Sequence, residues 1–285
     1  LRRNESIKLN YSLRFFLHLT IRKSKVYEIF KYNLLKDVLN IVIPMAGAGS
    51  RFAQEGYKDP KPLIPINGVP MIKVVIDNLK TNGDCHFIFI CQKKHVEAYG
   101  LREKLTDWAP GANLLEIDGI TEGAACTVLM AESLINNENP LMIANSDQFI
   151  DADINTYVEQ MGSNNFDGLI MTMTANDPKW SFIDINEQGL VTRVVEKEVI
   201  SNEATVGIYN FKQGKDFVNA AHRMIAFNDR TNNEFYVAPV YNYLIKEGYR
   251  TGYFNIGSEA NGMYGLGTPA DLSIFLNNPV SNHIH

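Results

Sequence analysis

The sequence predicts an α/β fold built on a mostly parallel sheet. Three observations carry this expectation: β-branched runs alternate with helically spaced apolar residues from Ile41 to Ala144, the intervals suit right-handed strand–helix–strand units, and a small-residue loop follows the first strand directly. With 285 residues and 45% hydrophobic content, the chain can bury a full core. A mostly parallel sheet of this kind binds nucleotide at its carboxyl edge.

Ile41-Val42-Ile43 is the first strand, and it stops at Ala46-Gly47-Ala48-Gly49-Ser50. Glycines in such a loop let backbone N–H groups turn toward an anion without a Cβ in the way. Arg51 and, after a polar excursion, Lys61-Pro62 bring two cations to the same stretch. The stretch reads as a polyphosphate site. A dinucleotide fingerprint requires a third glycine where Phe52 stands, and a P-loop requires Gly-Lys-Ser/Thr, so neither applies.

Met71, Val74, Val75 and Leu79 have helical spacing, and Asn82-Gly83 ends that helix. A strand at 86–90, a helix at 93–106, a short strand at 113–117, a helix at 124–135 and a strand at 141–144 follow. Beyond them the pattern changes. Strands are expected at 168–174 and 205–211, and a hairpin forms where 182–185 and 190–195 flank Asn186-Glu187-Gln188-Gly189. Helices at 215–227 and 237–247, a strand at 249–256 and a helix from Pro269 to Leu276 complete the reading. No repeat or linker divides these halves, so residues 39–285 are expected to be one domain.

Residues 1–38 hold nine Lys/Arg against three Asp/Glu, whereas the remainder holds eighteen against twenty-nine. The acidic remainder excludes a basic nucleic-acid surface for the main domain. The first segment is expected to be a basic extension, disordered or helical. Its apolar piece at 13–21 is interrupted by Arg14 and His18, too short and too charged to span a bilayer. Cys85, Cys91 and Cys126 show neither C-x-x-C pairing nor metal-ligand spacing, which suits reduced thiols in a cytoplasmic protein.

The run G-x-G-x-R-F followed by K-P-L resembles the sugar-phosphate nucleotidyltransferases, enzymes that join a sugar phosphate to a nucleoside triphosphate. The resemblance covers about residues 39–276. It implies a single Rossmann-like sheet of the nucleotide-diphospho-sugar transferase, GT-A-like type, with a mixed acceptor-binding lobe. It also implies a reaction in which a phosphate oxygen attacks the α-phosphorus and expels pyrophosphate, in the service of surface polysaccharide synthesis. Ala46 to Ser50 would then form the phosphate loop, Arg51 would hold the β- and γ-phosphates, and Lys61 would sit by the α-phosphate.

By the same resemblance, Asp147 in Asn145-Ser146-Asp147-Gln148 matches the ligand of a magnesium ion, a hard cation that commonly needs only one or two protein carboxylates beside phosphates. Asp151 and Asp153 are expected to cap the next helix instead. Glu122-Gly123-Ala124 matches the loop for the nucleotide base. Two readings of Glu122 stand side by side: acceptor for an exocyclic amine, which leans toward CTP, or a helix-start acid favoured by the dipole. Glu196-Lys197 and Gly207 match acceptor-binding positions, the partner being a sugar phosphate or other small phosphate monoester, and Asn233 to Tyr236 are further acceptor candidates. One departure stands out: Gly265 occupies the place of a second magnesium aspartate. Asp147 with waters, a different carboxylate, or loss of catalysis would each account for it. A GT-A-like glycosyltransferase and a non-catalytic nucleotide or sugar-phosphate sensor are the alternatives.

Overall fold

The computed structural model describes residues 38–47 and 49–284. Ala48 and the basic extension, expectations named above, lie outside the described residues. In chain order the strands and helices are β1 (Leu39–Pro44), α1 (Ser50–Gln54), β2 (Pro65–Ile66), β3 (Val69–Pro70), α2 (Met71–Leu79), β4 (Cys85–Gln92), α3 (Lys93–Tyr99), α4 (Leu101–Trp108), β5 (Asn113–Ile117), α5 (Ala124–Leu129), α6 (Glu132–Ile135), β6 (Leu141–Ala144), β7 (Gln148–Ile150) and α7 (Ile154–Ser163). The second half contributes β8 (Gly168–Thr174), β9 (Ser181–Ile185), β10 (Val191–Glu196), β11 (Glu203–Phe211), α8 (Gly214–Ala226), α9 (Tyr241–Lys246), β12 (Thr251–Glu259), β13 (Gly262–Gly265) and α10 (Pro269–Leu276).

The main sheet runs β5-β4-β1-β6-β11-β8-β12-β13-β7, with β9 attached to β11 and β10 to β9. The strands β5, β4, β1 and β6 are parallel, and antiparallel β11 joins them to the second half. Alternation along each strand assigns its two faces. Val42, Ile88 and Ile90 enter a core shared with residues of α5, α8 and α9, while Ile41, Ile43, Phe87 and Phe89 enter one shared with α2, α4 and α7. Helices therefore cover both faces, and the near-continuous apolar runs of β1 and β4 follow from that double burial.

Several expected elements differ in detail. The helix expected at 93–106 is two helices, because Gly100 adopts a left-handed conformation (φ 58°) that ends α3 and begins α4. The helix expected at 124–135 is also divided: Met130 and Ala131 donate to Thr127 and Val128, tight turns that separate α5 from α6. At 237–247 a 3₁₀ turn over Ala238–Val240, containing Pro239, precedes α9. Asp153 does cap α7, accepting from the Asn155 amide at 3.0 Å, whereas the amide of Asp151 donates to Gly262.

Candidate functional site

The carboxyl ends of β1 and β6 open into a cleft of about 770 Å³. Its floor is the loop after β1. Met45 donates to the Ile90 carbonyl at 2.9 Å, and the buried Gln92 side chain donates to the Ala46 carbonyl at 2.5 Å, which fixes the loop to β4. Gly49, at φ 61°, turns the chain into α1, and Phe52, 1% exposed, pins that short helix into a local core with Ile64 and Met71. Arg51 is thereby left exposed on the cleft wall. Lys61 begins a 3₁₀ turn, Lys61–Leu63, whose backbone packs close to Gly49.

Lys61 Nζ donates to Asp147 Oδ2 at 2.8 Å. The pair is part-buried in the cleft, so the two charges meet where water is thinned and their attraction exceeds that of a surface pair. Asp147 lies in the Asn145–Asp147 turn between β6 and β7, and its carbonyl accepts from Leu266 at 2.8 Å. A Cβ on Gly267 would stand 2.7 Å from Asp147 Oδ2, so glycine there keeps the carboxylate accessible. Gly265 pairs with Gln148 in the β13–β7 ladder. The carboxylate nearest the place of its missing side chain belongs to Asp271, but Thr268 Oγ1 donates to that carboxylate at 2.7 Å and ties it to the start of α10. Among the described residues no three His, Cys, Asp or Glu side chains converge as a metal cage.

The loop at 121–125 forms the opposite wall. Phe235 donates to the Glu122 carbonyl and accepts from Ala125, each at 2.9 Å, so Gly123 lies against another backbone. A Cβ there would stand 2.4 Å from the Phe235 carbonyl oxygen, and φ is 135°. Gly123→Ala is expected to destabilise the fold by about 2–4 kcal/mol through clash and backbone strain. Urea denaturation checks this, and an unchanged midpoint would contradict the packing.

A second cavity, of about 290 Å³, adjoins the cleft. Ala124, Asn145 and Tyr236 line both. Glu196 ends β10 and accepts from Ser181 Oγ. Lys197 Nζ donates to the Tyr236 hydroxyl at 2.7 Å. Gly207 holds φ 82° within β11, where a Cβ would lie 2.0 Å from Asn145 Nδ2, so only glycine fits between strand and side chain. Burial pushes the Glu196 carboxyl above the usual carboxylate range; the Ser181 hydrogen bond and the Lys197 charge oppose that shift without cancelling it.

That shift has a sign in stability. Between the ordinary carboxylate value, about 4.3, and the raised one, the folded state holds more protons than the unfolded chain, so stability falls as pH rises through this window. Glu196→Gln is expected to flatten this decline, measured as urea midpoints from about pH 4 to about pH 7. An identical slope in the variant would contradict the shift.

The residues singled out in the sequence thus fall into two groups. Ala46, Gly47, Gly49, Arg51, Lys61, Gly123, Ala124 and Asp147 line the cleft, and Glu196, Lys197 and Gly207 line the adjoining cavity. Ser50, Glu122 and, among the acceptor candidates, Asn233 and Phe235 line neither space. Ser50 is exposed at the start of α1. The Glu122 side chain is 67% exposed, pairs with Arg230 and is absent from the cleft lining. Trp180 and Ser181 of the cavity carried no sequence signal, because the loop and strand bearing them look like ordinary packing.

A family model described as nucleotidyl transferase matches residues 41–258. The low-salt glycan biosynthesis nucleotidyltransferase Agl11 of Haloferax volcanii is 24% identical over 174 residues, 60% of this chain and 48% of that protein. The chain spans about half the length of the curated relatives it matches. Among solved structures, the nucleoside-diphosphate-sugar pyrophosphorylase from Vibrio cholerae is 26% identical with a TM-score of 0.69, over 83% of this chain and 99% of that one. The inositol-1-phosphate CTP transferase from T. maritima shares the fold at 16% identity and a TM-score of 0.62, over 86% of this chain and 94% of that one.

Proposed function

Because the chain belongs to the nucleotidyl transferase family, we propose that it couples a nucleoside triphosphate to a sugar 1-phosphate or similar small phosphate monoester, releasing pyrophosphate. The observation that carries this reading is the junction, through Ala124, Asn145 and Tyr236, of two spaces that each bring cations and a carboxylate together. The larger holds Arg51, Lys61 and Asp147, as a triphosphate requires. The smaller holds Glu196 and Lys197, a carboxylate for hydroxyls and a cation for one phosphate.

In this reading the acceptor's phosphate oxygen attacks the α-phosphorus, a P–O bond forms, and the bond to the bridging oxygen of pyrophosphate breaks. The protein positions and neutralises, and no covalent nucleophile is used. Backbone N–H groups of Ala46, Gly47 and Gly49, with Arg51, hold the β- and γ-phosphates. Lys61 leaves Asp147 for the α-phosphate, where charge develops. Asp147, kept open by Gly267, would hold a magnesium ion, a hard cation that commonly needs only one or two protein carboxylates beside phosphates. When bound, the ion neutralises phosphate oxygens as a Lewis acid.

Base recognition falls to the backbone of 121–124, since the Glu122 carboxylate that favoured CTP is engaged by Arg230. The name of Agl11 supports a role in glycan precursor supply. A cytoplasmic setting, where nucleoside triphosphates are made, goes with that role; no helix among the described residues is long and apolar enough to cross a membrane.

The test is pyrophosphate release with magnesium, the four ribonucleoside triphosphates and dTTP, against sugar 1-phosphates, phosphocholine and inositol 1-phosphate. Release that depends on one nucleotide and one acceptor is expected. Measurable triphosphate binding with no release across the whole panel would count against the reading and for a sensor.

A further inference from the structure

The loop at 228–236 carries Tyr236 to the junction of the two spaces; Phe235, 1% exposed, anchors it in the core, and its other residues are exposed or half-buried. Thr231 and Glu234 exchange backbone hydrogen bonds around Asn232 and Asn233, at φ 49° and 65°, and Asn228 is also left-handed at φ 51°. Side chains other than glycine adopt such conformations at a cost, so neighbouring contacts must hold them.

Arg230 supplies those contacts. Its Nε donates to Asn228 Oδ1 at 2.6 Å, its Nη1 to the Asn233 carbonyl at 3.1 Å, and its Nη2 to Glu122 Oε2. Its guanidinium carbon lies 4.0 Å from the centre of the Phe235 ring, and Phe235 is the residue whose backbone pairs with the 121–125 loop. One planar fork therefore joins both ends of the asparagine turns to the base-side loop. Next in the chain, Tyr236 accepts the Lys197 hydrogen bond.

We propose that Arg230 is a positioning residue for the acceptor side of the site: it fixes the 231–236 loop against the 121–125 loop so that Tyr236 presents its hydroxyl to Lys197. The kinetic consequence rests on the transferase reading; the structural one does not. Charge alone is not the agent, because a pair whose carboxylate is 67% exposed is screened by solvent. The three-way fork is what lysine cannot reproduce.

Hydrogen exchange of the whole protein and steady-state kinetics, with the phosphate monoester that supports turnover, test this together on Arg230→Ala, Arg230→Lys and Glu122→Gln. Arg230→Ala is expected to speed exchange at the Phe235 and Ala125 amides. Its KM for the acceptor should rise about tenfold or more, and by a larger factor than KM for the triphosphate, whose base-side loop the same fork touches. Arg230→Lys should rescue neither property, and Glu122→Gln should move acceptor KM by less than about threefold. Unchanged exchange in Arg230→Ala, full rescue by lysine, or equal rises in both KM values would overturn the proposal. A wild-type protein silent in the pyrophosphate assay would defeat the transferase reading instead, while the exchange data would still decide whether Arg230 holds the loop.

Discussion

Lys61→Ala and Arg51→Ala are each expected to lower kcat/KM by about 10³–10⁵-fold, the scale on which cations that stabilise phosphoryl-transfer charge act. The two should differ in form. Arg51 stands exposed on α1 and forms no ion pair with any described residue, so it is free to take the distal phosphates. Its loss should raise KM for the triphosphate as well as lowering kcat. Lys61 lies deeper, against Asp147 at 2.8 Å, and its loss should fall mainly on kcat. Removing it also frees the carboxylate, so magnesium binding should hold or tighten while turnover collapses. Steady-state kinetics with a magnesium titration separate these effects, and either variant retaining turnover within about tenfold of wild type would remove the central role assigned to these cations.

Asp147→Asn is the second large effect. Asparagine keeps the shape but gives up the charge that magnesium and Lys61 both answer to, and a loss of about 10³-fold or more in kcat/KM, with magnesium saturation moved to higher concentration, is expected. Asp271→Asn is the comparison. Its carboxylate approaches the position of Gly265, yet Thr268 Oγ1 donates to it at 2.7 Å and the helix start holds it. Its activity should stay within about threefold of wild type, with a small loss of stability from the altered helix start. If Asp271→Asn were the more damaging of the two, Asp271 and not Asp147 would be the principal metal ligand.

Much of this arrangement was legible in the sequence because it is local. Ile41 to Arg51 is a strand running into a loop and a cation, and Asp147 lies in the turn after a buried strand; neither needs knowledge of what packs nearby. The short strands β7 and β13 were not legible, since three or four residues carry no periodicity and pair only because distant segments meet. The direction of the Glu122 side chain was not legible for a related reason: its partner Arg230 lies 108 positions away. The breaks at Gly100 and at Met130-Ala131 lie within otherwise helical apolar spacing, and backbone conformation rather than pattern divides them.

The most direct measurement is the phosphorus NMR spectrum of a reaction containing the protein, magnesium, the triphosphate and the phosphate monoester that together give release. The monoester resonance is expected to disappear as free pyrophosphate and a coupled pair of diphosphate resonances grow in equal amounts, the acceptor's phosphorus now joined to the former α-phosphorus. Nucleoside monophosphate and pyrophosphate appearing while the monoester remains unchanged would contradict this, because the nucleotidyl group would then have been transferred to water and the cavity of Glu196 and Lys197 would not be an acceptor site.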